Sequence, residues 1–258
     1  MPDNLPSSPI EHDVKHRDSL LGVAFPTTQW SLVLRSQQDG AEAQVAMNNL
    51  CRQYWYPIYA YLRCRGFERP DAQDITQSFF LMAVTGGLFE AAQRERGKMR
   101  SFLLGALTRH IADHLRRQHA AKRGGRAIVL PLEVETAEEK YSNEPADQRD
   151  PETLYLAAWA RSLIDTARQR LRKHLERKGR QELFDQLQAV IEMEDTDTPY
   201  CDLAVQLRAS EASLRLQVFR LRRRFGKLLR EEVAKTVETP EEVEDELAWL
   251  ATVLQQGN

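Results

Sequence analysis

His110 and His114 stand four residues apart with Asp113 beside the second. That spacing puts two imidazoles on one face of a helix, as a metal pair needs. A zinc-protease helix requires glutamate directly after the first histidine, but Ile111 stands there and no third ligand is evident, so both read as polar-face histidines. Asp71 and Asp74 are close enough for acid–base work. Asp71, however, falls in the first turn of a helix opened by Pro70, where the helix dipole favours an anion on stability grounds alone. Cys51, Cys64 and Cys201 share no CxxC spacing, which argues against a disulfide framework or zinc site and fits a reducing cytoplasm. There is no phosphate-binding GxxxxGK[S/T] loop, GxSxG elbow or dinucleotide-binding glycine pattern. No nucleophile–base pair stands out, so an enzyme is not expected, nor any metal or cofactor.

What remains is arginine chemistry, densest in residues 199–233, PYCDLAVQLRASEASLRLQVFRLRRRFGKLLREEV. The spacing predicts a short helix, a tight turn at 208–210 and a longer helix capped by Ser210. Leu214, Val218, Leu221, Phe225 and Leu228 recur at steps of four and three, giving one apolar stripe. About half a turn away lie Ala212, Leu216, Phe219 and Arg223, flanked by Arg215 and Arg220. A helix buried on one side and basic on the other, entered through a helix and tight turn, is the pattern of a helix-turn-helix DNA reader.

The elements around this stretch are helical throughout, since no strand-like alternation of any length appears. The expected fold is all-α: two small helical domains joined by an acidic flexible linker, the second containing the helix-turn-helix. Residues 1–24, rich in Pro, Ser, Asp and His, read as a disordered leader. A first helix is expected after Thr27 or Thr28, and a second from about 41 to 65, with Leu50, Tyr54, Ile58, Tyr61 and Leu62 inward and a kink near Tyr54 caused by Pro57. A third helix starts at Pro70 and buries Ala72, Ile75, Phe79 and Met82; a fourth starts near Arg100 and buries Leu104, Leu107, Ile111 and Leu115. Residues 126–153 form the linker, mostly irregular. A helix from 154 to 177 and another from 182 to 193 lead into the arginine-rich stretch, and 236–258 end the chain as an acidic helix with a Thr239–Glu242 capping box.

The net charge of −2 conceals alternating blocks. Residues 47–125 carry 13 basic and 6 acidic groups, and 156–235 carry 17 and 12, whereas 236–258 carry 6 acidic groups and no basic one. Two basic modules suggest two polyanion contacts. The start has no apolar run behind a basic region and no stretch could span a membrane, so a cytoplasmic protein without membrane insertion is expected.

Read together, these modules resemble a bacterial RNA polymerase sigma factor of the extracytoplasmic-function type, over about residues 25–235. PDAQDITQSFF (70–80) resembles that family's D-A-x-D-hydrophobic-x-Q-x-x-F signature in domain two, covering 25–125 here. The resemblance implies that Asp71, Asp74, Gln77, Ser78 and Leu81 face core polymerase. RSFLLGALTRHIADHLRR (100–117) resembles the −10 recognition helix, which implies DNA contacts from Arg100, Arg109, His110, Asp113, Arg116, Arg117, Lys122 and Arg123. Phe102 stands where the family has Trp, and Arg109 where it has Asn. YCDLAVQLRASEASLRLQVFRLRRRF (200–225) resembles the domain-four helix-turn-helix, spanning 154–235 here. That implies −35 contacts from Ser210, Ala212, Ser213, Arg215, Leu216, Gln217, Phe219, Arg220 and Arg223. Arg208 replaces the turn glycine, which strains the turn if a left-handed conformation is needed, and Gln217 replaces an arginine.

The implied function is promoter-specific transcription initiation with core RNA polymerase and promoter DNA as partners, an anti-sigma factor or other regulator being a further candidate. Two rivals stand beside it. One is a free-standing helix-turn-helix regulator with an N-terminal helical sensing domain, and the other an interaction adaptor using the aromatic second helix and acidic tail. The tail itself either covers the basic recognition helix or packs as a structural helix.

Overall fold

The computed structural model describes residues 41–85, 98–120, 134–142, 150–191, 200–237 and 239–256. The expected leader, the helix after Thr27, and Lys122 and Arg123 lie outside the described residues. Within them the fold is all-α, with nine helices and no strand. These are α1 (Ala41–Cys64), α2 (Arg69–Val84), α3 (Met99–Ala120), α4 (Val134–Ser142), α5 (Pro151–Glu176), α6 (Gln181–Ile191), α7 (Tyr200–Gln206), α8 (Glu211–Val233) and α9 (Glu242–Gln256). No described helix is long and apolar enough to cross a membrane.

Three of the helix ends are built alike. After α1, α5 and α7, a residue with positive φ lets the next amide reach back five residues: Phe67 to Leu62, Arg180 to Leu175 and Ala209 to Ala204, at 2.9–3.1 Å. This satisfies carbonyls that the helix leaves unpaired. Gly66 (φ 86°) and Gly179 (φ 64°) take the left-handed position at two of them, as glycine does without a Cβ clash. Arg208 takes it at the third, with φ 49°.

The apolar side chains form two clusters. The first joins Tyr54, Trp55, Ile58 and Leu62 of α1 to Ile75, Phe79 and Phe80 of α2, Leu103 and Leu107 of α3, and Tyr155, Trp159 and Leu163 of α5. The second joins Leu171 and Leu175 of α5 to Phe184 and Leu187 of α6 and to Leu214, Val218 and Leu221 of α8. The two are not separate along the chain. α5, 26 residues and about 39 Å long at the helical rise, gives its first half to one cluster and its second half to the other. α8 does the same at its end, where Val233 enters the first cluster. The two helices are also clamped by charge, with Arg170 paired to Glu231 and Glu232.

Two features depart from the expected linker. Pro151, within the span expected to be mostly irregular, is the first residue of α5; Asp150 caps the helix by accepting from the Thr153 amide at 3.2 Å. Proline suits that first position because its φ is already helical and its missing N–H would have been unpaired. Residues 134–142 are helical too. In α4, Ala137 is buried, Glu138 accepts from Tyr59 and from Arg63 of α1 (3.1 Å to Arg63), and the Arg63 guanidinium lies 5.2 Å from the Tyr141 ring centre. At the other end α9 starts at Glu242, whose side chain reaches back to the Thr239 amide at 3.2 Å.

Candidate nucleic-acid interface

The segment from α7 to α8 is positioned by its own cap and turn. Tyr200 is buried, and Leu203, Ala204 and Leu207 pack on the second cluster, which fixes α7 against α8. The chain then reverses through Arg208, and Ser210, in extended conformation, accepts the Ser213 amide at 3.3 Å. α8 buries the stripe read from its sequence: Leu214, Val218, Leu221 and Leu228 are buried and Phe225 is partly so. Arg222 stands beside that stripe and donates to the Val190 carbonyl at 2.9 Å, tying α8 to the end of α6.

The opposite side of α8 is open. Ala212, Ser213, Arg215, Leu216, Phe219, Arg220 and Arg223 are exposed, as is Ser210, while Gln217 is half-buried. Leu216 is 48 % and Phe219 61 % exposed, unusual values for large apolar side chains on a helix with a filled core. They line a shallow depression with Arg220, Arg223, Arg224 and Lys227. Arg224 and Lys227 are absent from the sequence-derived set. The continuing rhythm from Leu216 through Arg220 and Arg223, in steps of three and four, points to Lys227, and Arg224 lies four residues after Arg220.

Not every polar group on this face is equally available. Arg215 donates through Nε and one terminal nitrogen to Glu211 Oε1, at 3.0 and 2.8 Å, and its guanidinium lies 4.2 Å from the Tyr200 ring centre. The Gln217 amide donates to Ser213 Oγ at 3.2 Å. Such exposed contacts are worth about 0.3–1 kcal/mol each, enough to hold a resting geometry but not to resist a strong competitor. Arg220, Arg223, Arg224 and Lys227, in contrast, have no ion-pair partner among the described residues.

The α3 residues divide differently. Arg109, Arg116 and Arg117 are exposed, Arg116 being paired with the half-buried Asp113. His110 and Arg100 point inward. The expected buried stripe of α3 is turned by about a quarter of a helical circumference, so that Phe102, Leu103, Ala106, Leu107, His110 and Ile111 face the core. Leu104 moves to the edge and Leu115, expected inside, is 38 % exposed. His110 packs edge-on against Phe79 and shares a 2.8 Å hydrogen bond with Ser78 of α2. Burial, followed by the charges of Arg117 and His114, lowers its pKa to about 4 against a weaker opposing effect of Asp113. The imidazole is therefore neutral at physiological pH. His114 is half-buried, and no group of three or more potential metal ligands occurs among the described residues.

Arg100 is held by α9. Its Nε meets Glu246 Oε1 at 2.6 Å and a terminal nitrogen meets Oε2 at 3.2 Å, while Lys98 pairs with the same carboxylate. The guanidinium lies 3.5 Å from the Trp249 ring centre and 5.6 Å from that of Trp159. Burial raises the Glu246 pKa, but the hydrogen bonds and charges of Arg100 and Lys98 outweigh it and hold the carboxyl below the usual glutamate value. α9 thus packs on α5 and the start of α3, and reaches α8 near its end through Arg230–Glu244 at 2.9 Å. With α9 in place, Leu216, Phe219, Arg220 and Arg223 stay exposed, so this helix does not cover that face.

The α2 set is split as well. Asp71 and Asp74 are exposed and Leu81 is half-buried. Gln77 is buried, because both Phe79 and Phe80 turn inward and rotate the buried arc toward Thr76 and Ala83. Ser78 is half-buried against His110.

Compared with family models, curated proteins and solved structures, the chain matches none.

Proposed function

We propose that this chain is a promoter-recognition factor, a sigma factor of the extracytoplasmic-function type that works with core RNA polymerase. The observation that carries the reading is the α7–turn–α8 unit: a capped helix, buried along one stripe, presenting arginines and uncovered apolar side chains on the other. In this reading α7 and α8 are the helix-turn-helix, and α8 enters the major groove at the −35 element. Arg220, Arg223, Arg224 and Lys227 neutralise phosphates and set register, and bound counterions are released as they do so. Arg109, Arg116 and Arg117 of α3 contact the −10 element, and Asp71 and Asp74 of α2 face the polymerase. The test is reconstitution of the full chain with core polymerase on a promoter library. Initiation at a shared sequence supports the reading; no complex and no specific initiation at low salt would end it.

The free-standing regulator draws on one observation of its own. Arg100 and His110 are turned inward, which leaves α3 a smaller cationic face than the −10 role implies. Sequence-specific binding without polymerase, to half-sites one helical turn apart, is the outcome that would favour it.

A further inference from the structure

The uncovered side of α8 carries a distinctive mixture. Leu216 and Phe219, three residues apart, are its exposed large apolar side chains, and they line one shallow depression with Arg220, Arg223, Arg224 and Lys227, which follow them along the helix. In the first turns of the helix the hydrogen-bonding groups beside Leu216 rest on neighbours, Arg215 on Glu211 and the Tyr200 ring and Gln217 on Ser213, so the apolar pair is the part of this stretch that is open without rearrangement. A DNA major groove offers one apolar group to such a surface, the C5-methyl of thymine. Resting on the reading of α8 as a DNA-contacting helix, we infer that Leu216 and Phe219 determine its specificity by packing on thymine methyls. The preferred site is then a duplex with thymines at the positions facing these two residues. The four cations that follow this pair along the helix suit a polyphosphate backbone beside that contact and fix the helix in the groove.

The methyl can be removed without touching the base-pairing edge, by replacing thymine with deoxyuracil. Duplexes are selected by the full chain, alone and with core polymerase, from a random-sequence library, and single thymines in the enriched site are then replaced one at a time. Packing a methyl is worth about fourfold in affinity. We expect that loss at two or more thymines, and we expect Leu216→Ala or Phe219→Ala to abolish it at the matching position. Both side chains are exposed, so the melting temperatures of the variants should equal that of the parent protein. If a sequence is enriched but deoxyuracil changes nothing, the methyl inference is wrong and the DNA reading stands. If no sequence is enriched with or without polymerase, and an acidic amphipathic peptide occupies the depression instead, the DNA reading falls with it.

Discussion

Helices α3 and α8 have similar compositions, with leucines at steps of three and four and arginines between them, yet the fold uses their charges differently. In α8 the apolar stripe is rich in large aliphatic residues, so the buried side is unambiguous and the arginines opposite it stay in solvent. In α3 the buried arc draws on Met99, Ala106 and His110 as well as leucines, and it takes Arg100 in with it. A guanidinium can enter a core only if a carboxylate follows, and here that carboxylate comes from α9, 146 residues along the chain. The comparison teaches that arginine density does not by itself mark a binding face. Whether the cation has a buried acidic partner decides it.

The largest effect should come from breaking that pair. Arg100→Ala leaves Glu246, 1 % exposed, without its main partner, and loss of one member of a buried pair costs about 3–5 kcal/mol. For a protein of this size that lowers the melting temperature by about 10 °C. Replacing both, as Arg100→Met with Glu246→Leu, should restore most of it, because the desolvation cost disappears along with the attraction. A melting temperature unchanged in Arg100→Ala would show that α9 does not brace α3, and the contrast with α8 would collapse.

His110 sharpens the same contrast through pH. Its pKa is near 6.5 in the unfolded chain and about 4 in the fold, so between these values the unfolded state binds more protons. Stability is complete above pH 6.5, declines as the pH falls to about 4, and is then lower by about 3 kcal/mol. Glu246 acts in a lower window. Its folded pKa is depressed, so its contribution is present above the usual glutamate value and is lost as the pH falls below it. Denaturant titrations from pH 8 to 3 should show both phases, and His110→Gln should remove the first. A wild-type profile flat between pH 6.5 and 4.5 would place His110 in solvent.

These residues also show what could be read from the sequence. The stripe of α8, its Ser210 cap and the exposure of Leu216 and Phe219 follow from local spacing, and the structure has them there. The helical ends at Gly66 and Gly179 follow from the steric freedom of glycine. The inward turn of His110, the burial of Gln77 and the capture of Arg100 do not, because each depends on a partner distant in sequence: Ser78, the Phe79–Phe80 pair and Glu246. Helix α4 was hidden for a similar reason. Its acidic residues resemble a solvated linker until Arg63 and Tyr59 are placed opposite Glu138.

A smaller effect is expected at the turn entering α8. Arg208 holds φ 49°, a conformation that costs a residue with a side chain about 1 kcal/mol more than glycine. Arg208→Gly should therefore raise stability by up to about 1 kcal/mol, less the entropy that glycine adds to the unfolded chain. Gly66→Ala, at the equivalent position after α1, should lower it by a similar amount, although no atom lies within 4 Å of the added Cβ. Opposite signs at matched positions isolate backbone strain from packing. Equal signs would mean that the turn relaxes.

The smallest effect on stability is expected where the largest effect on binding is proposed. Arg220 and Arg223 are exposed and have no ion-pair partner among the described residues, so alanine at either should move stability by less than about 0.5 kcal/mol. If each neutralises a phosphate, each substitution should reduce the slope of log affinity against log salt by about one, and weaken binding evenly across sequences. Arg109→Ala and Arg117→Ala on α3 are the matched comparison: these exposed cations, proposed to contact the −10 element, should likewise leave stability nearly unchanged and reduce the salt slope. Stability loss at Arg220 or Arg223 comparable to that at Arg100 would mean that α8 also holds its arginines for packing. An unchanged salt slope with intact stability would leave Arg220 and Arg223 without phosphate contacts and would leave the two apolar side chains that precede them as the contact to test.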